Sequence, residues 1–321
     1  MIKLIHKLKE GAVMGKVNVK LIEYKNFGKC IEISNSQVQV IVTVDIGPRI
    51  INYSFIDGEN IMFEDLERAV KMTGEEFACY GNKTWYLYGG HRLWTSPEGP
   101  VRSKYPDNDA VSYEILENGA VFSPDEQVWN QYKFEIEVLL DEDSTEVTLI
   151  HRITNCGAWN ITLAPWAITV LSPGGIEIVP QATTETDLLP NRVMAFWPYT
   201  NLKDERMIWG KSYLGLISKP EIKQNFKFGT NNEHGFSMYF NHGDLLIKKF
   251  APKANGNYPD GGMSFETYVA GPFIEIESLG ELTELAPSET VSHTEYWTLF
   301  KEDAPNGLDE EKIDELVKKY V

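Results

Sequence analysis

The sequence predicts an all-β domain, sheet packed on sheet, with one short helix at its C-terminal end. Three observations predict it. Apolar and polar residues alternate at period two through most of the chain, as in half-buried strands. The alternating runs are separated by turn chemistry: Asp57-Gly58, Asn118-Gly119, Pro173-Gly174-Gly175 and Asp260-Gly261-Gly262. Helical periodicity is confined to two short segments, so the strands have mainly one another to bury against.

In chain order, strands are expected at 19–24 and 30–34, then from Gln37 to Val44, where the valines at even positions share one face. Strand 50–55 follows, and residues 64–72 are expected to form a short helix ahead of the aromatic run Trp85-Tyr86-Leu87-Tyr88. Residues 89–98 read as a loop rich in binding groups, since loops on a rigid scaffold are where such groups concentrate. Strands 111–116, 134–140 and 145–154 come next; Phe134, Ile136, Val138 and Leu140 lie opposite Glu135 and Glu137.

The strand 159–171 is apolar on both faces from Ile161 to Leu171, as a central strand would be. Pro165 within it implies a bulge or kink, because proline cannot complete a ladder. Further strands are expected at 213–218, 225–228, 236–240, 244–250, 264–269, 272–277 and 290–299. Leu308 to Tyr320 closes the chain as an amphipathic helix capping the sheet, with Ile313, Leu316, Val317 and Tyr320 on one side. No linker or internal repeat divides the chain, so residues 1–300 form one β domain and 301–321 a helical tail packed on it.

Charge narrows the partners. Lys and Arg number 30 against 47 Asp and Glu, a formal net charge of −17, and no basic run is long enough to face phosphates. That disfavours nucleic acid and anionic membrane and favours a neutral small molecule. Cys30, Cys79 and Cys156 are odd in number and unrelated in spacing, which reads as reduced thiols in a cytoplasmic protein. Charges break the segment Met1–Glu10 before a secretory apolar core develops. Ile161–Leu171 is too short for a bilayer, which needs about 20 residues.

The candidate chemistry lies in a few clusters. His91, Arg92 and Trp94, beside Tyr88, combine a proton carrier, a planar fork of donors and flat apolar faces, suited to holding a polar ring. In Phe273-Ile274-Glu275-Ile276-Glu277 the isoleucines face the core, so Glu275 and Glu277 share the other face with Cα atoms about 6.6 Å apart. Such a pair suits acid/base work, and a solvated strand face is the plainer alternative. Trp166, beside Pro165, offers a sugar platform or a core side chain. In Leu245-Leu246-Ile247-Lys248-Lys249-Phe250 one lysine points inward or snorkels. His151, on a regular strand beside Arg152, reads as structural.

No cofactor is expected, because G-x-G-x-x-G after a strand, G-x-x-x-x-G-K-[ST], G-x-S-x-G and H-E-x-x-H are all missing. Nor is a metal, since Glu233, His234, His242 and Asp244 are ligand types spaced as surface residues are.

Gly47-Pro48-Arg49-Ile50, Gly89-Gly90-His91-Arg92-Leu93-Trp94, the segment 155–175, and Phe273–Glu277 leading into Leu285-Ala286-Pro287-Ser288-Glu289 occur in an order that resembles the galactose mutarotase-like superfamily. Within it the chain is similar to an uncharacterised branch related to aldose 1-epimerases, over roughly residues 20–300. The resemblance implies a β supersandwich that binds a sugar in its concave face. It implies Glu277 as the base that takes the anomeric proton, and it matches Arg49 to the arginine after the early glycine. The family's acid histidine lies in a His-Pro-aromatic motif, where this chain reads Ala164-Pro165-Trp166; His91 is the substitute. Arg49, Tyr88, Arg92, Trp94, Trp166, Lys248 and Glu275 are then the sugar-binding residues. The expected activity is aldose 1-epimerase-like isomerisation of a neutral sugar. Sugar binding without turnover and glycoside cleavage by two carboxyls are the alternatives.

Overall fold

The computed structural model describes residues 17–321. The segment Met1–Glu10, expected not to be a secretory signal, lies outside the described residues.

Two large antiparallel sheets face each other. The first runs in the spatial order 18–23, 29–34, 38–43, 50–55, 90–96, 161–171, 273–279, 265–270, 226–230 and 194–196, with 283–285 also paired to 161–171. The second runs 207–209, 213–217, 176–180, 236–241, 244–250, 290–301, 147–155, 132–140, 119–123 and 112–115. Between them lies a continuous apolar core that includes Val40, Leu93, Ile276, Val138, Leu149 and Trp297. This is the expected all-β architecture, sheet packed on sheet. Every expected strand is present, because alternation is read by the sheet as one face in and one face out.

The C-terminal helix Glu310–Tyr320 covers the outer face of the second sheet. Ile313 and Leu316 are buried against Phe240, Leu245 and Ile247, and the Tyr320 ring stacks on Phe300 at 4.0 Å. Asp309 caps it by accepting from the Lys312 amide, and acidic residues in its first turn with lysines in its last suit the helix dipole.

Two segments differ from expectation. Residues 64–72 are not helical. The Asp65 carboxylate accepts from the amides of Ala69 and Val70, both at 2.9 Å, and Arg68 has φ of 52°; the aspartate offers these N–H groups a local turn in place of a helix. One short 3₁₀ segment, Glu75–Tyr80, follows instead. Nor is 89–98 a loop: Gly90–Ser96 is a fully buried strand in the middle of the first sheet. Two glycines thread it in. A Cβ would lie 2.0 Å from the Phe63 carbonyl oxygen at Gly89 and 2.2 Å from that of Ile50 at Gly90, and both have positive φ.

Pro165 marks a change of partner. Along one edge its strand pairs with 90–96, and along the other with 283–285 up to Leu163 and with 273–279 from Trp166 onward. The proline stands at the changeover, and its carbonyl accepts from the Gly280 amide at 2.8 Å. Cys30 is buried and Cys79 and Cys156 are exposed, all three as free thiols. No helix among the described residues is long and apolar enough to cross a membrane.

Candidate active site

Strand parity divides the polar residues of the sheet centre into two clusters. On Gly90–Ser96, Ile161–Leu171 and Phe273–Leu279, neighbouring residues point to opposite faces. Arg92, Trp94, Trp166, Glu275 and Glu277 take the face away from the second sheet, where Trp94 and Trp166 join an apolar cluster with Trp85, Ile168 and Phe273. His91, Thr169 and Ser278 point between the sheets.

On the outer face, Glu277 is fully enclosed. Its Oε2 accepts from the Trp166 indole at 2.7 Å and from Lys227 Nζ at 2.8 Å. Lys227, on Phe226–Thr230, also lies 2.8 Å from Oε2 of Glu266, which sits directly opposite Glu277 in the ladder. Arg92 Nη2 donates to Glu275 Oε1 at 3.0 Å, and its guanidinium lies 4.4 Å from the Trp94 ring centre. Trp94 meets Trp166 edge-on at 5.6 Å. Trp197 covers Lys227 at 4.6 Å, and Tyr199 meets Tyr268 edge-on. Asp260, on a left-handed turn, accepts from Ser96 at the rim.

Burial sets the electrostatics of this face. It pushes the Glu266 carboxyl well above the usual range, against the pull of Lys227, and raises Glu275 against the pull of Arg92. Burial works to lower the Lys227 ammonium, but Glu277 and Glu266 outweigh it and hold the proton on. Even so, the cluster does not satisfy itself. Oε1 of Glu277, Oε1 of Glu266, and Nε and Nη1 of Arg92 are buried without a hydrogen-bond partner. Groups of this kind in a folded protein are met by water or by a ligand.

The inter-sheet cluster is complete. His151 Nδ1 donates to the His293 carbonyl at 2.9 Å, which leaves its Nε2 as an acceptor for His91 Nε2–H at 2.7 Å. His91 Nδ1 then accepts from the Thr169 hydroxyl at 2.9 Å, and that hydroxyl accepts from Lys248. Lys248 forms a 2.8 Å ion pair with Glu295 and also donates to the carbonyls of Ala167 and Ile276. Glu295 further accepts from Ser278 and from the Trp297 indole. No side-chain atom of these residues is left buried and unpartnered. Burial, joined by electrostatic coupling to His151 and to the Lys248 ammonium, holds His91 far below the ordinary imidazole value, and burial takes His151 to about 3. His91, His151 and Glu295 are close enough to be metal ligands. The tautomers above already engage both imidazoles and the carboxylate, with the Lys248 ammonium beside them.

The structure therefore brings together five of the expected residues: Arg92, Trp94, Trp166, Glu275 and Glu277. Arg49 lies beside them, bound through Nη2 to Asp107 at 3.0 Å and lining a crevice with Leu93, Trp94 and Tyr105. Tyr88 reaches this group only through Arg49, 5.7 Å from its ring, and hydrogen-bonds Asn108. His91 and Lys248 are not with them: both are spent in the inter-sheet network, behind the sheet from Glu277. Of the other ligand-type residues, Glu233 and His234 meet at Thr183, with Glu233 also accepting from Thr184, while His242 contacts Ser172 and Asp244 pairs with Lys301.

Sequence reasoning missed Lys227 and Glu266. Phe226-Lys227-Phe228 and Phe265-Glu266-Thr267 each put a charged residue on the outward parity of an expected strand, a pattern that a solvated strand face gives as well.

No family model matches the chain, and no curated protein matches it. Solved structures do. A TPR-domain containing protein from Parabacteroides distasonis is 15% identical with a TM-score of 0.59 over 86% of this chain and 48% of that one, so the chain spans about half of that protein's length. A galactose mutarotase-like protein from Lactobacillus casei is 10% identical with a TM-score of 0.56, covering 84% of this chain and 100% of that one. A galactose mutarotase-like protein from Clostridium acetobutylicum is 9% identical with a TM-score of 0.52, over 89% and 99%. At these identities the shared property is the fold.

Proposed function

We propose that the chain binds a neutral carbohydrate on the sheet face that carries Glu277 and isomerises it as an aldose 1-epimerase does. The observation that carries this reading is the set of unpartnered atoms. A buried carboxylate oxygen and two guanidinium nitrogens stand free between indole rings, while the same strands satisfy every polar atom on their other face. An aldose ring fits that combination. Its C–H faces pack on indoles, and its hydroxyls both donate and accept.

In this reading Glu277 Oε1 takes the proton from the anomeric hydroxyl, and a neighbouring acid protonates the ring oxygen. The C1–O5 bond breaks, the aldehyde end turns, and the ring recloses on the other face. Arg92, held by Glu275, donates to sugar oxygens, and Trp94 and Trp166 bear the ring. The net charge of −17 supports a neutral ligand over an anionic one, nucleic acid and anionic membrane included. The three free thiols suit a reducing compartment such as the cytoplasm.

The test has two stages. Hexoses and pentoses are screened by tryptophan fluorescence and melting temperature, and each binder is then followed by polarimetry from the freshly dissolved α-anomer. Equilibration faster than the uncatalysed rate supports the isomerase. Binding with no acceleration leaves a sugar-binding protein, and no binding across the panel ends the carbohydrate reading.

A further inference from the structure

We propose that Glu266 is the proton donor of this site, working opposite Glu277 across the shared Lys227 ammonium. The inference rests on the isomerase reading above and supplies the acid that the loss of the His-Pro-aromatic histidine removed.

Glu266 and Glu277 are direct partners in the 265–270 and 273–279 ladder, so their side chains leave the sheet on one face, about 5 Å apart at Cβ. Each gives Oε2 to Lys227 Nζ at 2.8 Å, and each keeps Oε1 buried and without a partner. Two carboxylates against one ammonium leave an excess negative charge among groups that are at most 5% exposed. One proton on the pair removes that excess. Glu277 already accepts from both Lys227 and the Trp166 indole N–H, whereas Glu266 faces Lys227 alone, so the proton belongs on Glu266. The oxygen free to carry it is Oε1.

The resting site then presents an O–H donor without an acceptor beside a carboxylate oxygen without a donor. A pyranose needs that pair, since it gives a proton from one oxygen and takes one at another. Glu277 takes the proton from O1 and Glu266 gives its proton to O5. The C1–O5 electron pair goes to O5, and C1=O1 forms. On reclosure the Glu266 carboxylate takes the O5 proton as O5 attacks C1, and Glu277 returns a proton to O1. Both residues end as they began, with no co-reactant consumed. The other groups facing this pair are Arg92 and Glu275 from adjoining strands, Asp260 from the turn before Glu266, and Tyr199 and Tyr268.

The experiment compares wild type, Glu266→Gln and Glu266→Asp by polarimetry from pH 5 to 9 on an aldose the wild type binds. Glu266→Gln is expected to keep sugar affinity within about threefold while the rate falls by about 10²–10⁴, the usual worth of a positioned acid. It also loses the alkaline fall in rate that the wild type shows when its acid deprotonates. Glu266→Asp preserves the charge balance around Lys227, so it folds and retains that alkaline limb at a reduced rate. Should Glu266→Gln match the wild-type rate, or the wild type show no alkaline limb, Glu266 is not the acid and the isomerase reading stands. A wild type that binds sugars and accelerates none overturns both.

Discussion

The two faces of the central strands hold similar chemistry and treat it oppositely. Between the sheets, His91, His151, Thr169, Ser278, Lys248 and Glu295 form a closed circuit in which each donor has its acceptor. On the outer face, Arg92, Glu275, Glu277, Lys227 and Glu266 are buried too, yet Arg92, Glu277 and Glu266 keep free nitrogens and oxygens. Burial and shifted proton affinities occur in both, so neither identifies a functional site. Incomplete pairing does separate these two faces, because an unsatisfied buried group costs about 1–3 kcal/mol and persists where a ligand or water repays it.

The largest expected effect sharpens that contrast. Glu277→Gln keeps the shape of the side chain and removes the proton acceptor, so turnover should fall by about 10²–10⁴ with little change in sugar affinity. Polarimetry beside fluorescence titration measures both. His91→Asn, on the other face, should lower melting temperature while leaving kcat per folded molecule near wild type; a selective loss of kcat would break the division between the faces.

Next in size is Lys248→Met. It leaves the Glu295 carboxylate buried without its cation, and removal of one partner from a buried ion pair costs about 3–5 kcal/mol. Urea unfolding should show that loss, with sugar affinity of the folded fraction unchanged. A Lys248→Met protein as stable as wild type would mean that the inter-sheet circuit is not structural.

A third effect is one of pH. His151 and His293 are buried neutral, with values near 3 and 4, so between there and about 6.5 the unfolded chain binds protons the folded one refuses. Their contribution therefore falls as pH drops through that window. Glu177, also between the sheets, runs the other way. Burial raises it to about 8, so from about 4.5 to 8 the folded chain holds a proton the unfolded chain has lost, and its contribution falls as pH rises. The Thr267 hydroxyl permits the protonated form, since it can donate to the Glu275 carbonyl at 3.0 Å while accepting from Glu177. Glu177→Gln removes that opposing slope. Its stability should climb more steeply with pH than wild type between pH 5 and 7, by about 1.4 kcal/mol per unit; equal slopes would show that Glu177 is ionised when folded.

Smallest is Trp94→Ala, expected to weaken sugar binding by about five- to tenfold through lost ring contact and lost support for Arg92. Isothermal titration checks it, and an unchanged affinity would move the ring away from Trp94.

Much of this was legible in the chain. Alternation located the strands, and the isoleucines at 274 and 276 sent Glu275 and Glu277 to one face. What failed was local. The residues from Gly89 to Glu98 read as a loop, and once they are a strand, His91 and Arg92 separate by parity alone. Lys227 and Glu266 were hidden because an outward charge on a strand gives the same pattern whether solvent or Trp197 lies above it. Residues 64–72 carried a helical pattern that the Asp65 turn overrode.

The complete burial of Glu277, whose partner Lys227 lies 4.6 Å from the Trp197 ring centre, sets a kinetic condition. A sugar that reaches this carboxylate must first meet the protein with the side chains that bury it displaced, so encounter and capture are separate events. In stopped-flow mixing the observed rate constant should level off as sugar concentration rises, at a ceiling set by that displacement and independent of which sugar is supplied. Replacing Trp197 with alanine should lift that ceiling and speed release as well, trading residence time for access.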